Sequence, residues 1–424
     1  MKNEDNSDES NVSTELLSSS SFSTTSSEDG FPSGCQFSPD GLCILTSESN
    51  RLLLYNTTTK TTKGDIWKPA IQCQSGDSVR SYAWYPHMKS NDPASCCFAG
   101  VSRDQPVHLY DAYTGEIRAT YRPYNRLDEL ESPTTLCFSN NGQQIVTGGF
   151  RSERMLQIFD FNQPGRDASA NLKLGKTKRS KDGQKGLVSA LCSSSAINLL
   201  AVGTYSPGSI YLYDARAQST QVAEVVISGT CVVGHGKSHS RKRKHFVHDG
   251  DDDEDAVDFS AAKIKWLQNR ARGGVTQVEF SQDGMSLFSS SRRSNAILQW
   301  DLRKLTSSTF CPCLTSFETD NDTNQRIEFS LHDDYLYAAG RDNCIRIYDL
   351  KQSDRVVTKM DSFDDVVNGV SQTCLGAKSL VVCSIGSRQF PTDADFDEEE
   401  NSLSEHSYGG CLQLYDITLN NVNS

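Results

Sequence analysis

Seven times along the chain, a short apolar run ends on an aromatic residue beside an acidic or amide one. The stations are Leu53-Leu54-Tyr55-Asn56, His108-Leu109-Tyr110-Asp111, Gln157-Ile158-Phe159-Asp160, Tyr211-Leu212-Tyr213-Asp214, Leu298-Gln299-Trp300-Asp301, Arg346-Ile347-Tyr348-Asp349 and Gln413-Leu414-Tyr415-Asp416. Self-similarity at a spacing of about 40–50 residues is the signature of a β-propeller, with each WD-type ending closing one blade. The expected fold is therefore all-β, a seven-bladed WD40-type β-propeller over 30–424. A ring of blades buries its core between neighbours, so a chain of 424 residues needs no second domain.

Within each blade, short alternating strands are separated by Gly, Asn, Asp and Ser turns. Ser38-Pro39-Asp40-Gly41 returns as Ser139-Asn140-Asn141-Gly142 and as Ser281-Gln282-Asp283-Gly284. Asn-Gly and Asp-Gly supply the positive φ that a tight hairpin requires. Only eight residues follow Asp416, too few for an outer strand in the last blade. That strand is expected from the N-terminal side, within about 20–34, closing the ring and removing free sheet edges.

The net charge of −12 is unevenly placed. Acidic tracts at 1–29, 249–258 and 393–405 together carry −20, leaving +8 on the rest. Five of those positive charges fall in Lys237–Lys244, so the folded body is close to neutral and anion binding there depends on placement. The Ser-rich, acidic segment 1–29 is expected to be a disordered tail, and the polar insertions at about 236–272 and 391–408 to be flexible. By position both insertions leave the same face of the ring.

The 14 cysteines form no CxxC pair and sit mostly in apolar strand runs, which implies reduced thiols inside the cell. No apolar run approaches the ~18 residues of a membrane span. Enzyme signatures fail: Gly175-Lys176-Thr177 lacks the upstream glycine of a phosphate loop, where Ala170 stands. His235, His239, His245 and His248 with Cys231 lack a second cysteine at ligand spacing. No catalytic residue, metal or cofactor is expected.

Counting back eight or nine residues from the terminal Asp finds Arg103, Arg151, Arg292 with Arg293, and Arg341, and blade seven gives Arg388 ahead of its insertion. Five of seven blades thus place a guanidinium in the loop before the third strand; Glu48 and Tyr205 occupy the other two positions. A propeller gathers those loops around one mouth of its channel. Arg grips phosphate bidentately or stacks on a base, and Trp84, Tyr85, Tyr124, Tyr205 and Phe390 are candidate stacking partners. The bland alternative is pairing inside the blade, as in Arg103-Asp104 and Arg341-Asp342. Arg241-Lys242-Arg243-Lys244 reads as a nuclear import signal or nucleic-acid contact.

Several loop phrases are more specific than the repeat. They include Gly34-Cys35, Tyr82-Ala83-Trp84-Tyr85, and Ser102-Arg103-Asp104-Gln105-Pro106-Val107-His108 running into Asp111-Ala112-Tyr113-Thr114-Gly115-Glu116. Others are Arg122-Pro123-Tyr124-Asn125-Arg126-Leu127-Asp128-Glu129, Pro164-Gly165-Arg166-Asp167, Thr323-Asn324-Gln325-Arg326-Ile327, Asn368-Gly369-Val370-Ser371 and Arg388-Gln389-Phe390-Pro391. Together they resemble the telomerase Cajal body protein family of WD-repeat proteins, over about 30–416. The resemblance implies a non-enzymatic, monomeric propeller that binds small Cajal-body RNAs, and in many members telomerase RNA. It implies residence in nuclear Cajal bodies with some protein in the cytoplasm, ribonucleoprotein partners, chaperonin help in folding and no membrane contact. Tyr124, Asn125 and Arg326 join the arginine row as candidate RNA contacts, since their loops enter inner strands on the same face. The insertion at about 236–272 departs from the family pattern.

A rival reading is a protein-only adaptor, such as a substrate receptor of a cullin-type ubiquitin ligase. Its cue is Trp300-Asp301-Leu302-Arg303, with Tyr213-Asp214-Ala215-Arg216 as a weaker copy.

Overall fold

A computed structural model of the chain describes residues 12–22, 30–58, 66–174, 183–206, 208–215, 225–227, 273–303, 313–351, 356–361, 363–388 and 410–419. They form seven four-stranded antiparallel sheets, the blades of a propeller. Blade one runs in chain order from its inner strand Pro32–Phe37 through Cys43–Glu48 and Arg51–Asn56 to its outer strand Ile71–Gln74. Blades two to six repeat that order, and each aromatic-acid ending marks a third strand as expected.

The burial pattern explains the sequence pattern. Second and third strands lie between two neighbouring blades, so both faces are covered and Cys43–Glu48 is buried almost throughout. Outer strands have one covered face and alternate, as in Val356–Met360. Seven apolar clusters form the core, each built from two adjacent blades. The ring is thus held by nearest-neighbour seams. The expected turns are present: Gly41, Gly142 and Gly284 have φ of 72°, 81° and 71°. Asp283 ties its turn by accepting from Ser281 Oγ at 2.6 Å and from the Met285 amide at 2.9 Å.

Blade seven corrects the sequence reading. Its sheet runs Val367–Leu375, Lys378–Ile385, Cys411–Leu419, and then Val12–Ser21 as the outer strand. Strand exchange between the ends of the ring was expected, but from about 20–34; Pro32–Phe37 is instead the inner strand of blade one. The closing strand lies inside the segment read as a disordered tail. The serines that argued against a strand suit this position. A bulge between Leu16 and Ser18 interrupts the alternation, and Ser18 and Ser20 are buried. Ser20 Oγ lies 3.1 Å from the Tyr55 hydroxyl, and the Trp67 amide donates to Ser19 O at 3.0 Å. Small hydroxyl residues let blade seven approach Tyr55 and Trp67 of blade one, and Phe22 fills the same cluster.

The seam between blades seven and one is also fixed by Asn368. Its amide donates to Pro32 O and Gly386 O at 2.9 and 3.0 Å and accepts from the Gly34 amide and Ser384 Oγ at 3.0 and 2.7 Å. Among the described residues no helix is long and apolar enough to cross a membrane.

Candidate nucleic-acid interface

Loops that precede third strands and loops that precede inner strands share one face, and backbone hydrogen bonds join them. The Arg103 amide donates to Ser78 O at 2.9 Å, Arg292 to Gly274 O at 2.9 Å, and Arg341 to Asp320 O at 2.8 Å. The candidate arginines in these loops are therefore anchored by their own backbones, whatever their side chains do.

The side chains fall into two groups. In blades two and three, Arg103 is half-exposed beside Asp104 at 3.5 Å, and Arg151 is exposed. Arg80, which the sequence reading missed, stands between them near the start of the inner strand Val79–Trp84. Burial holds its proton affinity below the usual guanidinium value, and the charges of Arg151 and Arg103 add to that, against Asp104 and Asp77. Among the described residues Arg80 makes no ion pair. Three cations thus converge with two carboxylates, Asp77 and Asp104, beside them.

In blades five to seven the arginines are more committed. Arg292 Cζ lies 4.3 Å from the ring centre of Tyr205, and its Nη2 donates to Asn324 O at 3.0 Å. Arg293 is exposed, with a φ of 51°. Arg341 contacts Asp320 at 3.4 Å rather than the adjacent Asp342, which pairs with Arg346. Gln325 donates to Gly386 O at 2.9 Å and accepts from the Arg388 amide at 3.4 Å, tying blade six to the loop that carries Arg388. Arg326 lies 3.0 Å from Glu328, an ion pair without an aligned hydrogen bond.

Tyr124 and Asn125 belong to a loop packed on blade three, where Gln157 donates to Tyr124 O at 2.7 Å. The Arg166 guanidinium covers the Tyr124 ring at 4.5 Å. Asn125 Oδ1 accepts from the Leu127 and Glu129 amides, and its Nδ2 donates to Glu129. That side chain shapes the loop. Trp84 and Tyr85 are core residues of their seams, while Tyr205 is partly exposed under Arg292. Phe390 and Arg241-Lys242-Arg243-Lys244 lie outside the described residues.

Below this face the inner strands enclose a cavity of about 400 Å³, lined by Tyr82, Cys137, Cys192, Glu279, Arg326 and Glu328 among others. It is not a cationic tunnel. Burial pushes the Glu279 carboxyl up to about 8, with the Glu328 charge adding, against the Leu331 amide and Gln277. Burial also raises the Tyr82 hydroxyl and the Cys137 and Cys192 thiols. Cationic charge is therefore concentrated on the rim, where a polyanion can lie across the loops.

The adaptor cue resolves within blade five. Arg303 donates to fully buried Asp301 through Nε at 3.0 Å and Nη2 at 3.3 Å. That pairing holds the end of the third strand.

No family model matches the sequence. The chain is similar to telomerase Cajal body protein 1 of Rattus norvegicus, 30% identical over 90% of this chain and 63% of the relative. The Homo sapiens protein of that name is 29% identical over 93% of this chain and 65% of its own length. A guanine nucleotide-binding protein negative regulator of Schizosaccharomyces pombe is 25% identical over 87% of this chain and 83% of its own. The chain spans less than two thirds of the length of the rat and human relatives. With seven blades and a similarity that runs across nine-tenths of the sequence, the chain resembles the telomerase Cajal body protein family.

Proposed function

We propose that this propeller is a non-enzymatic scaffold that binds small Cajal-body RNAs across its loop face and retains them in nuclear Cajal bodies. The observation that carries the reading is the convergence of Arg80, Arg103 and Arg151 at the rim of blades two and three. Guanidinium groups repel one another, and an RNA phosphate brought among them converts that repulsion into charge-assisted hydrogen bonds. Exposed Arg293 and the half-exposed Arg341 extend the cationic path around the face. Cajal-body residence and telomerase association are what the relatives' names state of those proteins. For this chain, telomerase RNA is the second RNA to probe, and ribonucleoprotein proteins and a chaperonin are the proposed protein partners.

The test is a triple variant, Arg80→Gln with Arg103→Gln and Arg151→Gln, measured for small-RNA binding against salt. Each lost phosphate contact flattens the log–log salt slope by about 0.7 for single strands, so a reduction of about 2 is expected, with at least tenfold weaker binding. A folded variant with the wild-type slope and affinity would overturn the reading.

A further inference from the structure

His332, Asp333 and Cys374 bring an imidazole, a carboxylate and a thiol to one point, their ligand atoms all within 4.8 Å of one another. They come from two blades. His332 ends the inner strand Phe329–His332 of blade six, and Cys374 lies near the end of the inner strand Val367–Leu375 of blade seven. These hairpins are on the face opposite the arginine loops.

Local structure gathers the three donors. Asp333 takes φ of 49° in the turn after His332, and its carboxylate folds back to 3.4 Å from His332 Nε2. Gln372 Nε2, two residues earlier on the Cys374 strand, sits 3.5 Å from the sulfur and orients it. His332 is half-buried, and Asp333 and Cys374 are exposed, so solvent ions reach the cluster directly.

We propose that this cluster is a zinc site with three protein ligands and an open fourth position. Thiolate and imidazole together select a borderline transition metal over magnesium or calcium, whose ligands are oxygens. Tetrahedral zinc holds such atoms about 3.3–3.8 Å apart, so small side-chain rotations close the site. A bound ion staples blade six to blade seven, the blade that the N-terminal strand completes.

The experiment uses the full chain and Co²⁺ as a spectroscopic probe, followed by competition with Zn²⁺. One equivalent of Co²⁺ is expected to give a thiolate-to-metal absorption band that Zn²⁺ abolishes. Cys374→Ser should remove the band, and His332→Ala should weaken binding at least tenfold. Cys231→Ser, in the separate His-rich segment, should leave the band intact. Zinc should raise the melting temperature of wild type and not of Cys374→Ser. A band that survives Cys374→Ser, or binding to wild type only at millimolar metal, overturns the site.

Discussion

Arg292 lies over the ring of Tyr205, with 4.3 Å from guanidinium carbon to ring centre. Blade four carries this tyrosine where most blades carry arginine, and the arginine of blade five covers it. The same guanidinium reaches blade six through Asn324 O at 3.0 Å, so one side chain spans three blades.

Replacing Arg292 by alanine removes both contacts. A cation–π contact at a partly exposed site and one charged hydrogen bond together are worth about 2–4 kcal/mol. Urea unfolding should show that loss, and Arg292→Lys should retain only part of the contribution. Equal stability of all three proteins would remove the arginine's structural role.

Asn368 uses both ends of its amide in buried hydrogen bonds. Asn368→Ala leaves those partners unsatisfied and should destabilise the fold by about 3 kcal/mol. The denaturant midpoint should fall at unchanged slope. Because the partners lie at the seam of blades seven and one, proteolysis should begin near that seam.

Gly34 combines a φ of 70° with a tight approach. A methyl group there would stand 2.6 Å from Glu328 Oε2 and 3.0 Å from the Tyr82 hydroxyl. Left-handed backbone costs an L-residue about 1–2 kcal/mol, and the displaced carboxylate adds to it. Gly34→Ala should lose at least about 2 kcal/mol by chemical denaturation. A loss below 1 kcal/mol would show that the cavity wall yields.

Glu279 makes stability depend on pH in an unusual direction for a carboxyl. Its folded value is raised from 4.5 to about 8, so the native state holds an extra proton through that window. Its contribution therefore falls as pH rises from about 4.5 to 8 and is constant above. Glu279→Gln, which stays neutral, should gain stability relative to wild type between pH 5 and pH 8. Parallel midpoint-against-pH curves for the two proteins would contradict this.

Much of the fold was legible because blades repeat. The aromatic-acid endings mark every third strand, and they place the arginine loops on one face. The closing strand was illegible because serine is a poor strand former by propensity. Its strand state comes from Cys411–Leu419 on one edge and Tyr55 on one face, both far away in sequence. At the candidate interface, position was legible and availability was not. Arg326 meets Glu328 two residues away, whereas Arg341 reaches Asp320 across blades and leaves its neighbour Asp342 to Arg346. Arg80 escaped notice because it belongs to a strand instead of a loop. The His332–Cys374 pairing joins residues of different blades, so no linear ligand spacing announces it.

The outer strand of blade seven has a further consequence in time. Val12–Ser21 leaves the ribosome first among the strands, and its partner Cys411–Leu419 follows some 390 residues later. At roughly 5–20 residues per second, that interval is about 20–80 s. Throughout it the nascent chain holds six growing blades with an unsealed edge at each end. The earliest strand is the last to find its place, so ring closure waits on the synthesis of Cys411–Leu419.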